Sequence, residues 1–319
     1  MERLVCVIPC YNEEDVLLET SKRLKDKLES LIREGKITID SRILFVNDGS
    51  RDSTWKIIEK LHKNNPLFQG LCLAKNRGHQ NALLAGLMVA RQIGDVAISL
   101  DADLQDDINA IDEMLDKYQE GADIVYGVRA ERKTDTFFKK FTALGFYKFM
   151  GLLGADIEYN HADYRLMSKR ALDGLAEFKE VNLFLRGLVP MIGYKSDKVY
   201  YDRAERFAGK SKYPLKKMIH FALEGITSLS TKPIKMISAL GTVLFLVSVF
   251  ILIYCIIGEI NGRTIPGWTT TVISVWAIGG LIMVSLGVIG EYIGKIYLET
   301  KGRPKYIIET YLDDSENKK

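Results

Sequence analysis

Two stretches of this chain, Met236–Gly258 and Thr264–Gly290, carry no charged residue, and no other feature restricts its architecture as strongly. A helix rises about 1.5 Å per residue and a bilayer's hydrocarbon core is about 30 Å thick, so roughly 20 apolar residues cross it. Both stretches are long enough. A helix in a soluble core seldom stays apolar all round over such a length. The expected organisation is a two-span hairpin over residues 233–295, an α/β domain over 1–212 before it and a cytoplasmic tail over 296–319 after it. The start of the chain does not read as a secretory signal, because Leu4–Pro9 is a short strand-like run followed by polar residues.

Formal net charge is only +3, which implies no nucleic-acid partner. Its distribution says more. Between Lys198 and Lys217 lie seven Lys or Arg against two acids, and Lys295, Lys301, Arg303 and Lys305 follow the second stretch. The loop between the stretches has only Glu259 and Arg263. Positive charge gathers on cytoplasmic flanks, so both termini and the large domain are expected in the cytoplasm of a multi-pass cell-membrane protein. Within 213–232, Leu215, Met218, Ile219, Ala222, Leu223 and Ile226 share one side of a helical pattern beside Lys216 and Lys217. That pattern fits an amphipathic helix lying in the membrane surface, in contact with its lipids. Cys6, Cys10, Cys72 and Cys255 form no Cys-x-x-Cys pair and read as reduced thiols. Trp268 and Tyr292, near the span ends, read as interfacial anchors.

Strand-like and helical runs alternate through the first half. Leu4–Pro9, Ile43–Val46, Gly70–Leu73, Val96–Leu100 and Asp123–Tyr126 read as strands. Between them Glu13–Arg33, Trp55–Leu61, Gln80–Arg91 and Ile108–Tyr118 read as helices. Such alternation predicts a mainly parallel sheet with helices on both faces, whose ligands sit at the carboxyl ends of the strands. From Phe137 to Tyr200 the pattern is less regular and suits an acceptor-binding half on the same sheet.

The polar clusters that follow the strands carry the chemistry. Ser99-Leu100-Asp101-Ala102-Asp103-Leu104-Gln105-Asp106 ends the fourth strand. Two carboxylates one residue apart can hold Mg²⁺ or Mn²⁺, which fills its other positions with phosphate oxygens and water. An ion there neutralises charge developing on a departing diphosphate. Acidic turns are common, so the pair alone decides little. It is joined by Pro9-Cys10-Tyr11-Asn12-Glu13 after the first strand and Val46-Asn47-Asp48-Gly49-Ser50 after the second. Lys75-Asn76-Arg77-Gly78 follows the third strand and Gly127-Val128-Arg129 the fifth. Farther on come His161-Ala162-Asp163-Tyr164-Arg165-Leu166-Met167 and the basic run Arg206-Phe207-Ala208-Gly209-Lys210-Ser211-Lys212-Tyr213.

In this order and spacing the motifs resemble family 2 glycosyltransferases of the GT-A fold. The last two, with the paired spans, resemble the polyprenyl-phosphate branch, which includes bactoprenol glucosyltransferases and dolichyl-phosphate mannose synthases. The likeness runs from about residue 3 to residue 305. It implies that Pro9, Tyr11, Glu13, Val46 and Asp48 line the nucleobase and ribose, and that Asp101 and Ala102 contact the nucleotide. Asp103 and Gln105 would hold the metal, and Arg129 would reach the nucleotide-sugar's diphosphate. Arg165, Arg206 and Lys212 would bind phosphate, and Asp163 would be the catalytic base. Arginine forks suit phosphate, and carboxylates suit ribose hydroxyls. His79 and His161 have no paired nucleophile or metal spacing and read as hydrogen-bonded structural residues.

Other classes fit less well. A dinucleotide-dependent oxidoreductase needs a glycine-rich turn after the first strand, where this chain has Pro-Cys-Tyr-Asn-Glu. A phosphatase with an aspartate nucleophile usually carries its acidic pair after the first strand, not the fourth. A processive polysaccharide synthase would carry Gln-x-x-Arg-Trp, and none of Trp55, Trp268 and Trp276 follows an arginine. An inactive sugar-binding scaffold has no need of the intact acidic pair with Asp163. The expected reaction is inverting transfer of a hexose, glucose from UDP-glucose first, to polyprenyl phosphate by a homo-oligomeric membrane enzyme. GDP-mannose, UDP-N-acetylhexosamine and modified-pentose donors fit the same residues.

Overall fold

A computed structural model describes residues 1–129, 161–181, 184–202, 232–260 and 267–313. They divide into two units, one holding a mixed sheet and the other a pair of long helices.

The sheet has eight strands: β1 (Leu4–Cys10), β2 (Arg42–Asn47), β3 (Phe68–Leu73), β4 (Val96–Ser99), β5 (Ile124–Arg129), β6 (His161–Ser168), β7 (Ser196–Tyr201) and β8 (Ile308–Leu312). Their order is β7-β5-β6-β4-β1-β2-β3-β8. Pairs β1/β2, β1/β4, β2/β3 and β5/β7 are parallel, while β6 and β8 run against their neighbours. All seven residues of β1 are buried, as expected of a central strand covered on both faces. Its side chains alternate: Leu4, Cys6 and Ile8 join one apolar cluster, and Val5 and Val7 the other.

The first cluster lies under α1 (Leu17–Arg33), α2 (Thr54–Asn64) and α4 (Ala110–Gln119). The second lies under α3 (His79–Ile93), α5 (Lys169–Ala176) and α6 (Leu185–Met191). Helix α1 buries Leu17, Leu24, Leu28 and Leu31, one stripe at helical spacing. Helix α3 sits so close to the sheet that a Cβ on Gly86 would come within 2.4 Å of Val7 Cγ1 and 2.7 Å of Val46 Cγ2. The strands and helices expected through residue 129 are present with ends shifted by a few residues. Gly127-Val128-Arg129 forms the last residues of β5, not a loop after it. Cys6, Cys10 and Cys72 are buried free thiols.

Two differences from the sequence reading bear on function. Strand β6 enters the sheet antiparallel beside β4, in register Ser99↔Arg165. It therefore carries Asp163 back toward the residues that follow Ser99. The chain after the second long helix is also not a plain tail. Residues 308–312 return to the sheet as β8 and pair antiparallel with β3, from Gly70↔Leu312 to Leu73↔Ile308. Polar Glu309 and Thr310 hid that strand from an apolar-pattern reading.

In the second unit, α7 (Lys232–Ile260) covers the first uncharged stretch and α8 (Trp268–Lys301) takes in the second from Trp268 onward. Among the described residues one stretch, Ile278–Lys301, is long and apolar enough to cross a membrane, with mean hydropathy 1.5, and a shorter apolar helix covers Ile234–Leu244. Phe250 and Met283 are 74% and 69% exposed, so large apolar side chains face outward. Of the amphipathic segment expected over residues 213–232, residues 213–231 lie outside the described residues, as do Arg206 and Lys212.

Candidate active site

The loops after β1, β2 and β3 are laced together by short-range bonds. The Asn12 N–H donates to Ser50 Oγ at 3.0 Å, and the Arg51 N–H returns to Asn12 Oδ1 at 2.8 Å. The Glu13 N–H donates to Thr54 Oγ1 at 3.0 Å. Asn12 adopts φ 53°, which asparagine tolerates better than most residues. At Gly49, φ is +62° and a Cβ would stand 2.5 Å from the Asn76 backbone nitrogen. Only glycine lets these two loops approach so closely.

Asp48, expected to face nucleobase or ribose, is 2% exposed. Its carboxylate accepts the Arg77 N–H at 2.6 Å and the Gly78 N–H at 2.9 Å. It therefore ties the third loop to the second. Burial raises its pKa, against the opposing pull of those two bonds and His79. Pro9 and Val46 are buried register partners beneath these loops. Tyr11 stands on the rim at 37% exposure, and Glu13 is half-buried.

The acidic loop after β4 is held from both sides. Thr20 Oγ1 of α1 donates to the Ala102 carbonyl at 2.7 Å, and the Gln105 N–H donates to Asp103 Oδ1 at 3.1 Å. Leu104 takes φ 58°, a conformation that β-carbon sterics disfavour and that recurs at functional sites. Asp106 is buried, accepts from Tyr201 Oη at 2.6 Å and pairs with Arg129 Nη2 at 3.3 Å. Arg129 thus reaches this loop from the end of β5. Burial pushes Asp101 up to about 6, with Asp106, Asp163 and Asp103 adding repulsion and His79 partly offsetting it.

Among the described residues no three His, Cys, Asp or Glu side chains gather closely enough to hold an ion by themselves. The donor set at Asp103 and Gln105 fits a hard divalent cation that takes its remaining oxygens from a diphosphate and water. Such an ion would also relieve the repulsion that raises Asp101.

Across from this loop stands Asp163. Ser99 Oγ donates to its carbonyl, which fixes β6 against the end of β4. Its carboxylate meets three cationic groups: Arg165 Nη2 at 2.7 Å, Arg186 Nε and Nη2 at 3.2 and 3.1 Å, and His79 Nε2 at 3.5 Å. Burial alone would raise its pKa, but Arg186, His79 and Arg165 together hold it well below the usual carboxylate range. With these partners Asp163 is ionised and a weak proton acceptor.

Arg165 is buried in this site. Its guanidinium, expected to bind phosphate, is 1% exposed and pairs with Asp163 at 2.7 Å and with the Leu185 carbonyl at 3.4 Å, behind the carboxylate. Two further residues join the site: His79, which the sequence marked only as a hydrogen-bonded structural residue, and Arg186, which it did not single out. His79 opens α3 directly after Gly78 and lies between Asp163 and Asp101, the latter at 3.7 Å. Arg186 projects from α6. A lone arginine within Phe184-Leu185-Arg186-Gly187-Leu188-Val189 was the available signal.

An acidic pair at a strand end, opposite a carboxylate ringed by cations, suits removal of a sugar from a nucleoside diphosphate and its delivery to an acceptor. The mainly parallel sheet, covered by helices on both faces, is of the GT-A-like type expected from the sequence. The family model described as Glycosyl transferase family 2 matches residues 5–175, and the chain belongs to that family. It is 55% identical over 306 residues to the Bacillus subtilis glycosyltransferase YkoT, covering 96% of this chain and 91% of that protein. It is 39% identical over 309 residues to the prophage bactoprenol glucosyl transferase homolog of Escherichia coli, covering 96% and 98%. The bactoprenol glucosyl transferase of Shigella phage SfII is 38% identical over 309 residues, covering 96% and 97%.

Proposed function

We propose that this glycosyltransferase moves glucose from UDP-glucose to polyprenyl phosphate at the cytoplasmic face of the cell membrane, with inversion, releasing UDP. The observation that carries the reading is the placement of Asp163, with its cations, beside the acidic loop of Asp101 and Asp103. Its near full-length likeness to bactoprenol glucosyl transferases supports the choice of acceptor and sugar.

The uridine would lie over Pro9 and Val46, with Tyr11 and Glu13 at its edge and Asp48 fixing the loop that closes on it. Asp101 and the Ala102 backbone would contact the nucleotide. Asp103 and Gln105 would hold Mg²⁺ or Mn²⁺, which when bound neutralises the leaving diphosphate. Arg129 would steady the Asp106 end of the same loop and reach the donor's phosphates. A lipid monophosphate has a second pKa near 6 and is mostly dianionic at pH 7, so its oxygen can attack the sugar's anomeric carbon directly. Asp163 takes the proton from the fraction that arrives protonated. Arg206 and Lys212 would guide the phosphate in. Helices α7 and α8 would be two spans with both termini cytoplasmic, and their glycines 279, 280, 287 and 290 offer close-packing faces for a homo-oligomer.

The test is a panel of nucleotide-sugars offered to the purified protein with a short prenyl phosphate. UDP-glucose should be consumed and a glucosyl phosphodiester formed. Preferential use of GDP-mannose or a UDP-amino sugar would overturn the donor, and phosphate release without sugar transfer would overturn the reaction.

A further inference from the structure

Asp163 holds more positive charge than one carboxylate neutralises, and its three partners are not equivalent. Arg165 is 1% exposed, donates to the Leu185 carbonyl and is fixed behind the carboxylate. His79 is shared with Asp101. Arg186 is 32% exposed, and its fork spans both oxygens of Asp163 from the solvent side. Asp101 attracts it and Arg129 repels it, so it sits at the junction of the two halves of the site. A planar fork that grips a carboxylate in two bonds matches a phosphate equally well.

We propose that Arg186 is the ligand of the acceptor's phosphate, resting on Asp163 until a phosphate monoester displaces the carboxylate from its fork. The exchange breaks one bidentate ion pair and forms another, with no covalent change. It leaves Asp163 with Arg165 and His79 alone. Losing one neighbouring cation makes a carboxylate more basic, so arrival of the acceptor converts Asp163 from a salt-bridge partner into a usable proton acceptor. The donor's diphosphate is a second source of the same chemistry. Arg186 is assigned to the acceptor because its partner Asp163 lies on β6, whereas the donor phosphates belong with the metal-holding loop after β4.

The inference rests on the lipid-phosphate reading, so its decisive measurement is binding, not turnover. Full-length wild type, Arg186→Gln and Arg186→Lys are titrated with geranyl phosphate in the presence of UDP and Mn²⁺, and separately with UDP alone. Arg186→Gln should weaken geranyl phosphate binding by about 10- to 100-fold, the scale of losing charge-assisted hydrogen bonds, with UDP affinity unchanged. Arg186→Lys keeps the charge without the fork and should fall between the two. In turnover the KM for acceptor should rise by a similar factor, while Asp163→Asn should act chiefly on kcat. Wild-type geranyl phosphate affinity in Arg186→Gln overturns the inference, as does a loss confined to UDP. If Arg186→Gln does not fold, Arg186→Lys with unchanged geranyl phosphate affinity overturns it equally. Absence of glucose transfer by wild type, with the binding difference intact, counts against the proposed reaction and upholds the assignment of Arg186.

Discussion

His79 Nε2 stands 3.7 Å from Asp101 Oδ1 and 3.5 Å from Asp163 Oδ2, at the first residue of α3. A single imidazole thus separates two carboxylates carried by different parts of the sheet. Enclosure opposes its charge, but Asp163 and Asp101 prevail and push it up to about 8. A histidine raised in the folded state stabilises fully below its unfolded pKa of about 6.5, and that help is lost as pH climbs through 8. His79→Gln should therefore lower the Tm of the ligand-free protein at pH 6 and approach wild type above pH 8.5. A Tm difference independent of pH would remove the bridge from the stability of the empty site.

Asp101 has the opposite sign. Its carboxyl is raised to about 6, so its charge costs stability fully above pH 6 and not at all below the unfolded value of about 3.9. Asp101→Asn should raise the Tm of metal-free protein at pH 7.5 while abolishing transfer. The side chain is 36% exposed, so solvent screening limits the gain to about 1 kcal/mol, roughly 2–4 °C. Adding Mn²⁺ with UDP should reverse the order, because wild type gains a ligand the variant binds poorly. A variant no more stable than wild type in chelator contradicts the repulsion.

Asp103→Asn keeps the shape of the loop and removes a charge from a hard-cation site. Transfer should fall by about 100-fold or more, as should that of wild type in excess chelator. Full activity in chelator would sink the metal assignment.

Gly86→Ala tests the packing that places His79. The added methyl group would collide with Val7 and Val46 side chains, at 2.4 and 2.7 Å. Overpacking of this kind costs about 1–3 kcal/mol. Chemical denaturation should show that loss, and a neutral result would mean that α3 shifts freely against the sheet.

Topology is open to direct labelling. In a background lacking native cysteines, Thr264→Cys should react with impermeant thiol reagents from outside intact cells, and Ser315→Cys should react only after permeabilisation. The reverse pattern would refute a cytoplasmic catalytic domain.

The first half of the sheet was legible because its parallel strands are short apolar runs closed by polar turns, and Leu17, Leu24, Leu28 and Leu31 mark α1 at helical spacing. The acidic loop was legible because its chemistry is contiguous in sequence. The ring around Asp163 was not. Its members come from the start of α3, from β6 and from α6, and an antiparallel strand inserted beside β4 brings them together. Neither His79 nor Arg186 has a local pattern that announces a partner far away in the chain. Asp48 and Arg165 were visible as polar residues, but their burial and the bonds it imposes were not.

Strand β8 sets an order on synthesis. The β3 edge can be covered only once residues 308–312 have been made, after both long helices have been synthesised. Until then the nascent domain presents an unpaired edge, a template for pairing with other chains. Tyr311 Oη, which donates to Gln69 Oε1 at 3.1 Å, and the Ala74 N–H, which donates to the Ile307 carbonyl at 3.0 Å, belong to that late closure. A fragment cut before α7 to obtain the sheet domain alone would lack this strand and expose β3. Joining residues 303–313 to such a fragment through a flexible linker restores the covered edge, and is the form in which a membrane-free domain should stay in solution.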